Sequence, residues 1–100
     1  MNSSSKTRVI LQMRLHEGMG DTYAAAYDLV QNKIARAEGF ISSQLCKSVK
    51  DPDSWIVISE WQTLEHYRVF VDSEDFKAQR APMRECVLHG ESSQYAVVSE

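Results

Sequence analysis

The 100-residue chain is poor in the residues that interrupt or staple a fold, with four glycines, two prolines and two cysteines. Each scarcity excludes a class of protein. Cys46 and Cys86 stand far apart and form no CxxC or other metal-ligand spacing, so neither a disulfide framework nor a zinc module is expected. They read as two free thiols in a reducing cytoplasm, and the expected location is cytoplasmic. His16, His66 and His89 share no spacing with one another, and neither HxH nor HExxH occurs, so no metal site is expected. A Gly-rich dinucleotide loop is missing as well, so no cofactor is expected. No apolar run is long enough to cross a bilayer, which argues against a membrane role. Basic residues are outnumbered, 11 Lys and Arg against 14 Asp and Glu, and they are scattered rather than striped. A nucleic-acid partner would need a basic face, so none is expected. The opening segment, Met1 to Thr7, is polar and lacks the apolar core of a signal peptide, and residues 1–7 read as a flexible arm.

What remains is an ordinary globular composition, 43% apolar and 25% charged. One hundred residues suffice for one core without staples, and a single domain over 8–100 is expected. The organising stretch is Ser54 to Phe70. Its first half, Trp55 to Trp61, is β-branched and aromatic and follows the turn cluster Asp51-Pro52-Asp53. Trp55, Val57, Ser59 and Trp61 share one face, and Ile56, Ile58 and Glu60 the other. Both faces are largely apolar, which suits a central strand covered on both sides. Thr63 is placed to cap a helix whose stripe is Leu64, Tyr67, Phe70 and Val71.

In chain order, Arg8 to His16 alternates as a strand with Val9, Leu11, Met13 and Leu15 on one face. Asp21 is placed as the cap of a helix with the stripe Tyr23, Ala26, Tyr27, Val30, Ile34 and Ala37, and Gly39 as the left-handed residue just past its end. Phe40 to Val49 is a second strand whose polar Ser42-Ser43-Gln44 centre suggests an edge or a cavity lining. Asp51-Pro52-Asp53 then joins it to the third strand as a hairpin. Ser73 caps a short helix, and Pro82 either ends it or opens a fresh turn. His89-Gly90 breaks the pattern, and Gln94 to Ser99 is the last strand. The order strand, helix, strand, strand, helices, strand gives an α+β fold with a four-stranded antiparallel sheet and helices on one face. The uncovered apolar face calls for a second copy of the chain, a homodimer packed sheet to sheet.

Glu38-Gly39-Phe40, Ser59-Glu60-Trp61, Tyr67 and Asp75-Phe76-Lys77 resemble the antibiotic biosynthesis monooxygenase family, over about Arg8 to Val98. The resemblance implies a ferredoxin-like fold that dimerises into an α+β barrel. It implies, in the branch this chain is similar to, oxidation of an aromatic polyketide to a quinone by O2 without flavin, metal or heme. That branch has a tryptophan and a tyrosine that fall on Trp61 and Tyr67, and an asparagine that falls on Val57. The heme-degrading branch has an iron-ligating histidine where this chain has Arg80, and a guanidinium cannot ligate iron. A non-oxidative helper or cyclase of the same fold is the alternative reading, and a heme-handling protein a more distant one.

The expected site follows from both lines. Tyr67 is either a core tyrosine or a pocket-wall phenol that meets a polar substrate. Trp61 packs and holds the rings. Arg80 either snorkels beside Pro82 or faces the pocket and stabilises a phenolate. His66, a quarter-turn from Tyr67, is a base only if the pocket wraps that far. Val57, Ser59, Phe76 and Ser43 are the expected substrate contacts. The partners implied are a small aromatic molecule and O2.

Overall fold

The computed structural model describes residues 5–100. Its elements run β1 (Thr7–Leu15), α1 (Gly20–Ile34), β2 (Phe40–Lys47), β3 (Ser54–Trp61), α2 (Leu64–Val71), α3 (Glu74–Gln79), α4 (Ala81–Arg84) and β4 (Val87–Ala96). All strand pairs are antiparallel and the sheet order is β2-β3-β1-β4. This is the ferredoxin-like α+β arrangement, with β3 and β1 inside and β2 and β4 at the edges.

The alternation in β1 and β3 decides which face the helices cover. Val9, Met13 and Leu15 are buried, as are Trp55 and Trp61. In register, Val9 faces Ser59, Leu11 faces Val57 and Met13 faces Trp55. Helix α1 lays Tyr23, Tyr27 and Val30 on this side, and Met83 and Cys86 from the α4 region complete the cluster. Full burial of side chains this large contributes about 1.5–3 kcal/mol each. The opposite face carries Ile10, Ile56 and Ile58, with Ile10 directly across from Ile58. None of these three joins the helix-side core.

Local chemistry sets the boundaries. The β2–β3 turn is held by Asp53 N–H donating to Asp51 Oδ1 at 3.0 Å and by Trp55 Nε1–H donating to the Pro52 carbonyl at 2.7 Å. Thr63 Oγ1 accepts from the His66 amide at 3.1 Å, and Ser73 Oγ accepts from the Phe76 amide at 3.2 Å, so both expected caps are present. Pro82 does open a fresh turn, at the start of α4. There its missing N–H is no loss, because the first amides of a helix have no internal partner.

Several boundaries differ from those read in the sequence. Residues 1–4 of the expected arm lie outside the described residues, while Thr7 is buried, 4% exposed, and pairs with Trp61 and Ala96 as the first residue of β1. Helix α1 starts at Gly20, one residue before Asp21, with Met19 as cap and no side-chain bond. Asp21 lies inside the first turn, where its charge suits the positive helix end. The helix stops at Ile34. Arg36 and Ala37 then donate three residues back, to Lys33 and Ile34, which tightens and ends the spiral. Gly39, at φ 82°, therefore turns the chain into β2 rather than capping α1. Strand β2 ends at Lys47 and leaves Val49 fully exposed. Strand β4 starts at Val87, well before Gln94. His89 and Gly90 do not break it, because they pair with Arg14 and Met13 beside a bulge at Arg14–Leu15. A polar edge strand carries little apolar alternation to read.

Candidate functional site

A cavity of about 590 Å³ lies between the helix side of the sheet and helices α2 to α4. This is within the size range of small-molecule sites. Its floor is the sheet, with Leu11 of β1, Val57 and Ser59 of β3 and Ser43 of β2. Ser43 and Ser59 lie directly across from one another. The Ser43 hydroxyl shares a 2.6 Å hydrogen bond with Tyr27 OH. Ser59 Oγ accepts from Trp61 Nε1–H at 3.1 Å, which leaves its own proton free to donate upward.

One wall is aromatic. Trp61, 2% exposed at the end of β3, is edge-on to Tyr67 with ring centroids 5.8 Å apart, and tilted against Phe70 at 5.3 Å. Phe70 in turn meets Phe76 at 4.4 Å, and the Arg80 guanidinium lies over Phe76 at 5.5 Å. The stripe on α2 thus continues through α3 into a cation–π contact. The Tyr67 hydroxyl has no protein hydrogen-bond partner among the described residues, although it faces the cavity. Tyr23, on the α1 side, is different. Burial pushes its phenol up to about 12, so it stays neutral and acts as wall. Tyr27 is also raised by burial, with the Ser43 bond opposing.

The charges lining the cavity are of one sign. Arg80 and Arg84 both border it and no Asp or Glu does. Among the described residues no group of three or more His, Cys, Asp and Glu could hold a metal, and no helix is long and apolar enough to cross a membrane.

Trp61, Tyr67, Arg80, Val57, Ser59, Phe76 and Ser43 therefore all border one cavity. His66 does not. Its Nδ1 lies 2.8 Å from Thr63 Oγ1 and its Nε2 3.6 Å from Glu38 Oε2. The quarter-turn from Tyr67 is enough to carry it off the cavity lining. Tyr23, Phe70 and Arg84 also border the cavity, beyond the residues that the sequence points to. Tyr23 and Phe70 look in sequence like plain core stripe. Arg84 could have been found from Arg80 by counting one turn across Pro82.

Fold and cavity together define a ferredoxin-like domain with an aromatic-walled pocket. The chain belongs to the antibiotic biosynthesis monooxygenase family, whose model matches residues 7–81. It is 31% identical over 96 residues to the 42.8 kDa protein in the whiE locus of Streptomyces coelicolor, covering 96% of this chain and 24% of that protein. It is 29% identical over 96 residues to the polyketide synthase CurD of Streptomyces cyaneus, covering 96% of this chain and 26% of that protein. The chain thus spans about a quarter of the length of these curated relatives. Among solved structures, SnoaB, a cofactor-independent oxygenase from Streptomyces nogalater, superposes with a TM-score of 0.87 at 14% identity over 97% of both chains. A conserved protein from Methanosarcina mazei superposes with a TM-score of 0.84 at 17% identity over 94% of both chains. These structural likenesses establish the fold.

Proposed function

We propose that the protein is a small cofactor-independent monooxygenase that oxidises a polycyclic phenolic, anthrone-type substrate to a quinone with O2. One observation carries the reading: a single cavity combines an aromatic wall, an uncommitted tyrosine hydroxyl and arginine as its fixed charge. The relative from Streptomyces cyaneus, named polyketide synthase CurD, supports the substrate class.

The chemistry balances without a bound redox group. The CH2 between the rings loses a proton to water at the mouth and becomes a delocalised enolate. The enolate passes one electron to O2, and the substrate radical and superoxide join through a new C–O bond. The peroxide anion takes up a proton from water, and the hydroperoxide then loses its remaining C–H proton as the O–O bond breaks. A carbonyl is left, and the distal oxygen leaves as hydroxide and takes up a proton to become water. The protein contributes orientation of the rings by Trp61 and Phe70, and stabilisation of the enolate by Tyr67 and Arg80. Val57, Ser59, Ser43 and Phe76 shape the slot, and its apolar lining keeps water from the intermediate.

Oxygen uptake with 1,8-dihydroxyanthrone tests this. One O2 should disappear per quinone formed, faster than the protein-free autoxidation. Uptake at the protein-free rate would sink the oxygenase reading. Firm binding of the rings without uptake would point instead to a non-oxidative helper or cyclase.

A further inference from the structure

The geometry points to Arg84 as a specificity residue that seats a carboxylate carried by the aromatic substrate, so that the site selects an aromatic acid over its neutral counterpart. This rests on the cavity being the seat of a polycyclic ring.

The chain carries a net charge of −3 and 14 acidic residues, yet the cavity is bordered by two arginines and no carboxylate. Arg80 is held against Phe76 at the wall, where it faces the ring. One guanidinium is enough for the enolate. Arg84 follows one helical turn later, its N–H donating to the Arg80 carbonyl at 3.0 Å. It is exposed, and so stands at the rim. The turn that carries it is anchored on both sides, by Met83 at 7% and Cys86 at 1% exposure. The two arginines of β1 are each paired, Arg8 with Glu60 at 3.1 Å and Arg14 with Asp51. Among the described residues Arg84 has no such partner. A planar guanidinium fork at a cavity rim matches a carboxylate in two parallel hydrogen bonds. Rings lying along Trp61, Phe70 and Phe76 would direct a ring-borne carboxylate to it.

The test is binding, which is independent of turnover. Anthraquinone-2-carboxylate and anthraquinone-2-carboxamide are titrated into the protein with tryptophan fluorescence as readout. The carboxylate should bind about fivefold more tightly, which is what a well-matched exposed ion pair supplies. The preference should shrink at about 0.5 M salt, where exposed charges are screened. Arg84→Gln should bring the two affinities together, and Arg84→Lys should keep part of the gap, both at unchanged melting temperature. Equal affinities in the unaltered protein would overturn the inference, and so would a preference that survives Arg84→Gln. Turnover separates the two readings. A carboxylate preference without anthrone oxidation would sink the oxygenase reading and leave this one standing. Anthrone oxidation without the preference would do the reverse.

Discussion

The side chain of His66 lies directly against Gly39, so closely that a Cβ at Gly39 would clash with its Cβ and Cγ. Gly39 also has φ 82°, which an L-residue adopts at a cost of about 1–2 kcal/mol. Gly39→Ala should therefore destabilise the domain by about 1–3 kcal/mol, read as a shift in the denaturant midpoint. The double variant with His66→Ala should recover only the share of the steric cost that the ring imposes, because the Cβ at position 66 still lies too close, and should keep the backbone part. Because His66 sits outside the cavity, His66→Asn alone should leave anthrone turnover within about twofold, inside the scatter of indirect effects. A large loss of turnover would restore histidine as the base.

Ile10, Ile56 and Ile58 lie together on the face of the sheet away from the core helices. A patch of this kind on central strands is a packing surface, and the proposed partner is a second copy of the chain. Sedimentation at micromolar concentration should give twice the 11.4 kDa chain mass. Ile58→Lys, which places a charge at the centre of the patch, should yield the monomer mass. A monomer before substitution would defeat the sheet-to-sheet dimer.

Much of this arrangement was legible in the sequence, for a physical reason. β1, β3 and α2 have strong periodicity because their two faces meet different surroundings. Period puts Tyr67 and Arg80 each on the apolar stripe of its own helix, and the family resemblance points to Trp61 and Tyr67 together. The start of β4 is not legible, because an edge strand reading Val-Leu-His-Gly-Glu-Ser-Ser-Gln is selected by its pairing with β1, which leaves no mark in local hydropathy. For His66 a sequence shows the helical angle but not where the cavity ends. Arg84 is hidden in the sequence because Pro82 masks the continuity of the helical path from α3 into α4.

Tyr23 predicts an alkaline limit to stability. Its phenol is raised by burial to about 12, against about 10 in the unfolded chain. Below about pH 10 both states hold the proton and the group contributes no pH dependence. Between about pH 10 and 12 only the unfolded chain loses it, so stability falls with rising pH by up to about 1.4 kcal/mol per unit. The melting temperature should drop across this window, and Tyr23→Phe should flatten the drop. An unchanged slope in Tyr23→Phe would mean that other groups set the limit.

Tyr67 and Arg80 are proposed to bear the transition-state charge. Tyr67 keeps a free hydroxyl at the cavity wall, and Arg80 is fixed over Phe76 rather than waving in solvent. Each should bond more strongly to the enolate than to the neutral ring, so their loss should lower kcat more than it raises KM. Tyr67→Phe removes only the hydroxyl, and the edge-on contact with Trp61 at 5.8 Å survives. Arg80→Met keeps most of the stem on Phe76 and removes the charge. For charge-assisted contacts the expected loss is about 1.5–3 kcal/mol each, roughly ten- to a hundredfold in kcat. Because the two act on one anion, the double variant should lose less than the product of the single losses. Melting temperatures should stay close to that of the unaltered protein, since neither change opens the Trp61 core. Unchanged oxygen uptake in both single variants would reduce Tyr67 and Arg80 to packing. A rise in KM at constant kcat would make them binding groups with no share in the oxidation step.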